Sequence, residues 1–405
     1  MEFILGVNYW PRKKAMYWWK LFEKAEVREE FETIKDIGLD VVRLFLLWED
    51  FQSSPTEVSR EQLENLLETV SIAEDVGLML MPSFFIGHMS GVNWLPQWIL
   101  DESPNGRFLT YSGGELVDRG ALNIYEDSKI IEAEKVLIEE VVSEIGDSKA
   151  IHSWDISNEI DNVLIPSSPE VASRWTKLIT SVIKRSDPHH RPVTFGTHQE
   201  DIEFDKGFRI PVVSPHLDYL SMHAYSVYSP FTDPLDTYFV PFTCVLTKEL
   251  GGKDVLMQEF GMPVWEGPTK RIRSATGKET SMHYLINEHE AARWLEDTLL
   301  NLYKIGVTGA LYWNFSDYHE DLWALPPLDR AVHERFFGLL RANGRKKETA
   351  EVFKRFKRRV EEEQPQRIEV KLELPSDYYS DPLNNMKKLY REFMEEWRSI
   401  EATDN

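Results

Sequence analysis

SWDISNEID, residues 153–161, runs through apolar and small side chains and then closes on an amide and a carboxylate, Asn158 and Glu159. Burying an ionised carboxylate costs several kcal/mol or forces it to take up a proton, so an acid where a buried strand surfaces needs a reason. The same kind of run recurs along the chain. FILGVNY (3–9), DVVRLFLL (40–47) and LMLMPSFF (78–85) precede IHSWDIS (151–157), and PVTFGTH (192–198), YLSMHAY (219–225), VLMQEF (255–260) and GALYWNF (309–315) follow it. These short apolar runs have the length and β-branched or aromatic content of strands buried on both faces.

Amphipathic stretches with helix punctuation separate them. Ser59 and Gln62 form a capping box ahead of LENLLETVSIAEDV, which Gly77 closes; Asn287 and Glu290 do the same for AARWLEDTLLNLYKI, closed by Gly306. Ser168 followed by Pro169 opens a helix over about residues 170–185. Eight strands alternating with helices predict an α/β fold, a (β/α)8 TIM barrel, in which active sites gather at the C-terminal strand ends. The polar and aromatic residues at those ends are Asn8, Arg43, His88, Asn158, Glu159, His198, His223, Tyr225, Glu259, Trp313 and Asn314.

A length of 405 residues fits two or three domains of about 150 residues, or one barrel of about 250 residues enlarged by long loops. The strand pattern favours the barrel, over residues 1–362. Residues 86–128 and 262–285 are long βα loops, read as structureless lids or walls. Residues 363–405 lie outside the eight units and are expected to pack on the barrel as a C-terminal extension, since about 40 residues make a marginal domain.

A net charge of −22 disfavours nucleic acid as a partner. An apolar fraction of 42% with 13 tryptophans excludes a disordered chain, and no apolar run approaches the ~20 residues of a membrane span. The opening MEFILGVNYW is too short and too acidic for a secretory signal, which predicts a cytoplasmic location. Cys244 stands alone, so neither an internal disulfide nor a cysteine zinc cluster is possible, and it is read as a small buried hydrophobe. Without a His-x-His after the first strand, no metal or other cofactor is expected.

Glu159 and Glu259 end the fourth and seventh strands, three apart in a ring of eight, and so face each other across the barrel mouth. Two carboxyl groups about 5–5.5 Å apart suit a retaining glycosidase, and roughly 6.5–9.5 Å an inverting one. The rim residues carry a family likeness as well. SNE closing strand four, HAY strand six, QEFG strand seven and YWNF strand eight resemble clan A retaining glycoside hydrolases, family 5 and the endo-β-mannanase-like enzymes in particular. GVNYWPRKKAMYWW and GLDVVRLFLLWEDF add to the resemblance, which covers about residues 3–360.

The resemblance implies a retaining β-glycosidase acting on β-linked manno- or gluco-configured oligosaccharides, mannanase- or mannosidase-like in preference to a β-1,4-glucan enzyme. Glu159 would be the acid/base and Glu259 the nucleophile. Asn158 would bind the sugar 2-hydroxyl, Arg43 would keep the nucleophile ionised, Tyr225 would donate to it, and His223 would line the acid/base side. Trp313 would be the sugar platform. Trp10 and Trp48, near strand ends, are further candidate platforms, and His88 is a candidate contact; Trp18, Trp19, Trp94 and Trp98 default to core packing. Electrostatics would lower the Glu259 pKa beside Arg43 and raise that of Glu159 opposite a charged Glu259. A non-catalytic carbohydrate-binding barrel and a transglycosylase are the alternatives. The long segment after strand three, able to wall off a cleft, favours short substrates.

Overall fold

The computed structural model describes residues 3–403. Its centre is a parallel sheet of strands β1 (Ile4–Tyr9), β2 (Val41–Leu47), β3 (Met79–Ile86), β4 (Trp154–Asn158), β5 (Val193–Gly196), β6 (Leu220–His223), β7 (Val255–Phe260) and β8 (Gly309–Tyr312). Consecutive strands pair except β5 with β6, and β1 also pairs with β8. The ring closes between β5 and β6, where the Asp218 N–H donates to Val193 O at 2.9 Å and the His223 N–H to Thr197 O at 2.9 Å. The chain is therefore a (β/α)8 barrel.

Strand parity decides what fills the lumen, because alternate residues face the axis. Val41, Met81, Leu256 and Leu311 form a separate apolar plug inside the ring. Arg43 stands two residues along β2 from Val41, so it too points inward, above the plug and with no solvent exposure. Val42, Leu44 and Leu46 join the main core.

Seven helices clothe the ring: α1 (Lys24–Ile37), α2 (Arg60–Val76), α3 (Ser128–Ile145), α4 (Pro169–Ser186), α6 (Phe239–Gly251), α7 (Glu288–Lys304) and α8 (Glu348–Glu363). Ser59 caps α2 through the Gln62 N–H, Gly77 ends it at φ 76°, Ser168 caps α4, and Asn287 caps α7 through the His289 N–H. Between β5 and β6, among the described residues, there are only short turns, including the helical turn Glu200–Glu203 and the single turn α5 (Ile210–Val213). The C-terminal helix α9 (Pro382–Thr403) covers that flank. Its Tyr390 and Phe393 rings meet Phe242 of α6 at 5.1 and 5.5 Å. Just ahead of α9, the Ile210 N–H donates to the Tyr379 hydroxyl at 2.9 Å, and the Tyr378 hydroxyl donates to Ile202 O at 2.6 Å.

The long βα loops are not structureless, contrary to the sequence expectation. After β3, the segments His88–Met89, Val92–Trp94, Leu109–Ser112 and Glu115–Val117 form a small sheet of their own. After β7, Lys270–Thr276 and Glu279–Asn287 form an antiparallel hairpin. Backbone pairing satisfies the polar groups that long unpaired loops would leave bare. A third long connection, after β8, carries the short 3-10 helix Val332–Phe336. Cys244 is buried in α6, where burial pushes its thiol pKa up. Among the described residues, no helix is long and apolar enough to cross a membrane.

Candidate active site

A cavity of about 500 Å³ opens at the C-terminal ends of the strands. His88, Asn158, Glu159, His223, Tyr225, Glu259 and Trp313 line it, and so does His198. Arg43 lies directly behind that lining, completely buried.

Glu159 leaves β4 in the left-handed conformation, at φ 45° and ψ 47°. A non-glycine residue there costs of order 1–2 kcal/mol, and its carboxylate Oε1 then sits 3.0 Å from His223 Nδ1. Glu259 Oε1 lies 3.7 Å from the same nitrogen. One oxygen of each carboxylate and the imidazole nitrogen all fall within 4.8 Å of one another, inside the spacing of about 5–5.5 Å for retaining enzymes and short of roughly 6.5–9.5 Å for inverting ones.

Both Glu259 oxygens are held. Arg43 Nη1 donates to Oε1 at 2.5 Å and the Tyr225 hydroxyl to Oε2 at 2.8 Å. Arg43 is itself fixed by Asp155, whose Oδ2 accepts from Nε at 2.9 Å and from Nη2 at 2.7 Å, while Ser83 Oγ donates to the same oxygen. Arg43 Nη2 also donates to Asn158 Oδ1 at 3.0 Å, and Asn158 Nδ2 donates to His88 O at 3.1 Å, leaving one amide proton for a ligand. Gly196 makes the approach possible: a Cβ there would sit 3.0 Å from Arg43 Nη2 and 3.2 Å from His223 Cε1.

The electrostatics of Glu159 differ from the sequence expectation. Burial alone would raise its pKa, but His198 and the hydrogen bond to His223 outweigh that and hold it well below the ordinary carboxylate range. His198 can act this way because Asp161, 2.9 Å from its Nε2, and Glu159 itself overcome its desolvation and raise its pKa to about 10. Gln258 Oε1 faces His223 Nε2 at 2.8 Å while Gln258 Nε2 points to Met81 Sδ, so the ring carries its proton on Nε2. The Glu159–His223 contact then needs one proton shared between Oε1 and Nδ1.

Trp10 and Trp48 are corrections. Both are 0% exposed. Trp10 stacks on Phe45 at 5.0 Å, and Trp48 packs against Phe85 and donates to Gln52 Oε1 at 2.9 Å. Neither lines the cavity, so they are packing residues. Trp313 is 4% exposed and lies on the cavity wall. Sequence reasoning missed Asp155, Ser83, Arg107, Tyr228 and Glu334. Asp155 had a signal, an acid inside an apolar run; the loop residues had none.

Two groups of acids and histidines have cation-like spacing, Glu159–His223–Glu259 and Asp161–His198–Asp201. Arg43 already places positive charge on the first, and Lys206 Nζ, 2.6 Å from Asp161 Oδ2, on the second. Neither group fits a bound cation well.

Loops meet all round the mouth. The Lys278 N–H of the β7 hairpin donates to Arg107 O at 3.0 Å, and Arg107 pairs with Glu200, beyond β5, at 2.6 Å. The Ala275 N–H donates to Arg330 O at 3.0 Å, and Ser90 Oγ to Glu334 Oε2 at 3.0 Å. The connections after β3, β5, β7 and β8 are thus tied to one another at the mouth of the pocket.

Sequence comparison gives 25% identity over 281 residues with a probable mannan endo-1,4-beta-mannosidase F of Neosartorya fischeri, covering 61% of this chain and 56% of that protein. A probable mannan endo-1,4-beta-mannosidase C of Aspergillus terreus matches at 25% over 241 residues, 55% of each chain. The chain is similar to clan A glycoside hydrolases of the family 5 type. It spans a little over half the length of these curated relatives. No protein-family model matches. Among solved structures, a GH5_18 protein of Streptomyces cattleya, crystallised with GlcNAc, superposes with a TM-score of 0.76 at 18% identity, over 97% of this chain and 91% of that one. An exo-beta-1,4-mannosidase of an Opitutaceae bacterium, strain TAV5, gives 0.69 at 24%, over 88% of this chain and 59% of that one. At these identities the structural likeness bears on the fold.

Proposed function

We propose that the protein is a retaining β-glycoside hydrolase acting on short β-linked mannosides. The observation that carries this is the approach of Glu159 and Glu259 to within 4.8 Å across His223, the spacing for double displacement. Glu259, aimed by Arg43 and Tyr225, attacks the anomeric carbon as the glycosidic C–O bond breaks. The leaving oxygen takes the proton shared by Glu159 and His223. Loss of the Glu259 charge in the covalent intermediate then lets Glu159 deprotonate the attacking water. The free amide proton of Asn158 meets the 2-hydroxyl, and Trp313 supports the ring.

Mannose configuration is favoured by the named relatives, two mannan endo-mannosidases and an exo-mannosidase. Short substrates are favoured by the joining of the loops at the mouth of the pocket. Nuclear magnetic resonance of an aryl β-mannoside during turnover tests the stereochemistry: the first free sugar should be the β anomer. Glu259→Ala should lose several orders of magnitude in kcat, and azide should convert the activated substrate to the α-azide. Glu159→Ala with azide should give the β-azide. An α first product, or near wild-type turnover in Glu259→Ala, refutes the assignment.

A further inference from the structure

Glu334, in the connection after β8, is a further carboxyl group on the cavity wall, and the chemistry above leaves it without a task. Its side chain is 12% exposed. Ser90 Oγ donates to Oε2 at 3.0 Å, the Tyr228 hydroxyl is hydrogen-bonded to it, and His333 Nε2 stands 3.4 Å from Oε1. A carboxylate offers about four acceptor positions. Ser90 and Tyr228 occupy two, and the group still faces the cavity.

Its position relative to the reacting pair fixes which part of a sugar it meets. Tyr228, hydrogen-bonded to Glu334, packs its ring 5.5 Å from that of Tyr225, whose hydroxyl holds Glu259 Oε2, so Glu334 lies on the nucleophile's side of the pocket. The leaving group must lie on the other side, at Glu159, where the wall continues through His198, Glu200 and Arg107. A glycone with its anomeric carbon over Glu259 and its 2-hydroxyl at Asn158 therefore extends the rest of its ring toward the Ser90–Glu334 junction, where two loops meet.

We propose, building on the glycosidase reading, that Glu334 accepts hydrogen bonds from the hydroxyl groups at the non-reducing end of the glycone, on C4 or C6, and so selects a terminal sugar. Burial raises the Glu334 pKa to about 7, and hydroxyl donors from a ligand would stabilise its charged, acceptor-only form. A polyol end supplies two or three. An extended chain, with another sugar on C4, would run into the Ser90–Glu334 contact.

The test compares the wild type, Glu334→Gln and Glu334→Ala on 4-nitrophenyl β-D-mannopyranoside and its 4-deoxy and 6-deoxy forms. Glu334→Ala should lower kcat/KM by about 10- to 100-fold on the full sugar, the range for hydrogen bonds to a charged group. The loss should shrink to less than about fivefold on the deoxy sugar lacking the bound hydroxyl, and Glu334→Gln should fall between. Equal losses on all three substrates would mean that Glu334 merely ties two loops together, and no loss would mean no role; either overturns the proposal. Calorimetry with methyl β-D-mannopyranoside separates this from the hydrolase reading. If the wild type turns over none of the aryl sugars, hydrolysis fails alone, and binding at least about tenfold weaker in Glu334→Ala upholds the inference. Equal binding by both proteins, or none by either, sinks it.

Discussion

Replacing Gly196 by alanine should damage both stability and catalysis, although the residue touches no substrate. Gly196 ends β5 and is not among the glycines of positive φ. In such a backbone, alanine for glycine ordinarily stabilises by about 0.4–1 kcal/mol, through the unfolded state. Here the sign reverses. The new Cβ would lie 2.5 Å from Ser157 O, against an ordinary contact distance of 3.4 Å or more. That oxygen belongs to the adjoining strand and cannot rotate away. Overpacking of this kind costs about 1–3 kcal/mol. With an unfolding entropy of about 2.1 cal/mol/K per residue, a chain of 405 residues converts about 2 kcal/mol, net of the unfolded-state gain, into a Tm drop of about 2 °C.

The catalytic penalty comes from the other two contacts. Arg43 Nη2, 3.0 Å from the added carbon, holds Asn158 and Asp155, and His223, 3.2 Å away, faces Glu159. Moving that set by half an ångström or so should lower kcat/KM about 10- to 100-fold. The assay is steady-state hydrolysis of an aryl β-mannoside alongside calorimetric Tm. Gly106→Ala, where nothing lies within 4 Å of the new carbon, is the control and should leave both unchanged. Wild-type kcat/KM and Tm in Gly196→Ala would refute the claim that Arg43, His223 and the two strands are packed to contact at this point.

Trp48→Phe should lower Tm by a few degrees, because it leaves a void and removes the bond to Gln52, yet leave KM for aryl glycosides unchanged; a fivefold or greater change in KM with an unaltered Tm would return Trp48 to the sugar site. Glu30 is buried, accepts from the Tyr9 hydroxyl and the Arg12 N–H, and has its pKa raised to about 8 by burial. Because the folded protein holds this proton more tightly than the unfolded chain, stability should fall as pH rises from about 4.5 to about 8 and then level off. The fall should be a few kcal/mol at most, and Glu30→Gln should flatten this part of the curve in denaturant titrations at several pH values.

What the sequence made legible follows from where the physics is local. Glu159, Glu259, His223 and Tyr225 could be placed because each ends an apolar run, and in a parallel barrel all such ends share one rim. Arg43 could be placed because a charge inside VVRLFLL has nowhere to go except the lumen. Asp155, its partner, sits just as visibly inside SWDISNE, but the eye is drawn to the acid at the strand's end. Trp10 and Trp48 were misplaced for a different reason: a tryptophan near a strand end looks the same whether a sugar or Phe45 covers it, and only the packing decides. The charge state of Glu159 was beyond reach as well. It depends on His198, which in turn depends on Asp161, and a chain of three electrostatic partners leaves no trace in spacing.

The same distinction explains the fifth unit and the C-terminal extension. The strand β5 is legible as PVTFGTH, but the segment after it has no helical period, and its helix is reduced to short turns such as Glu200–Glu203 and Ile210–Val213. A barrel with one thin flank exposes strand and loop surface that must be covered. MKKLYREFMEEWRSI carries Met386, Tyr390, Phe393 and Trp397 at spacings of three and four, which marks an amphipathic helix with one apolar face. Nothing in that stripe says which surface it meets. The absent helix and the unclaimed face are complementary, and considering them together predicts the docking that neither shows alone. The contact also reaches the rim: the Tyr378 hydroxyl bonds Ile202 O in the Glu200–Glu203 turn, which supplies Glu200 and Glu203 to the pocket wall. The extension is therefore built into the side of the barrel that would receive the leaving group in the proposed reaction.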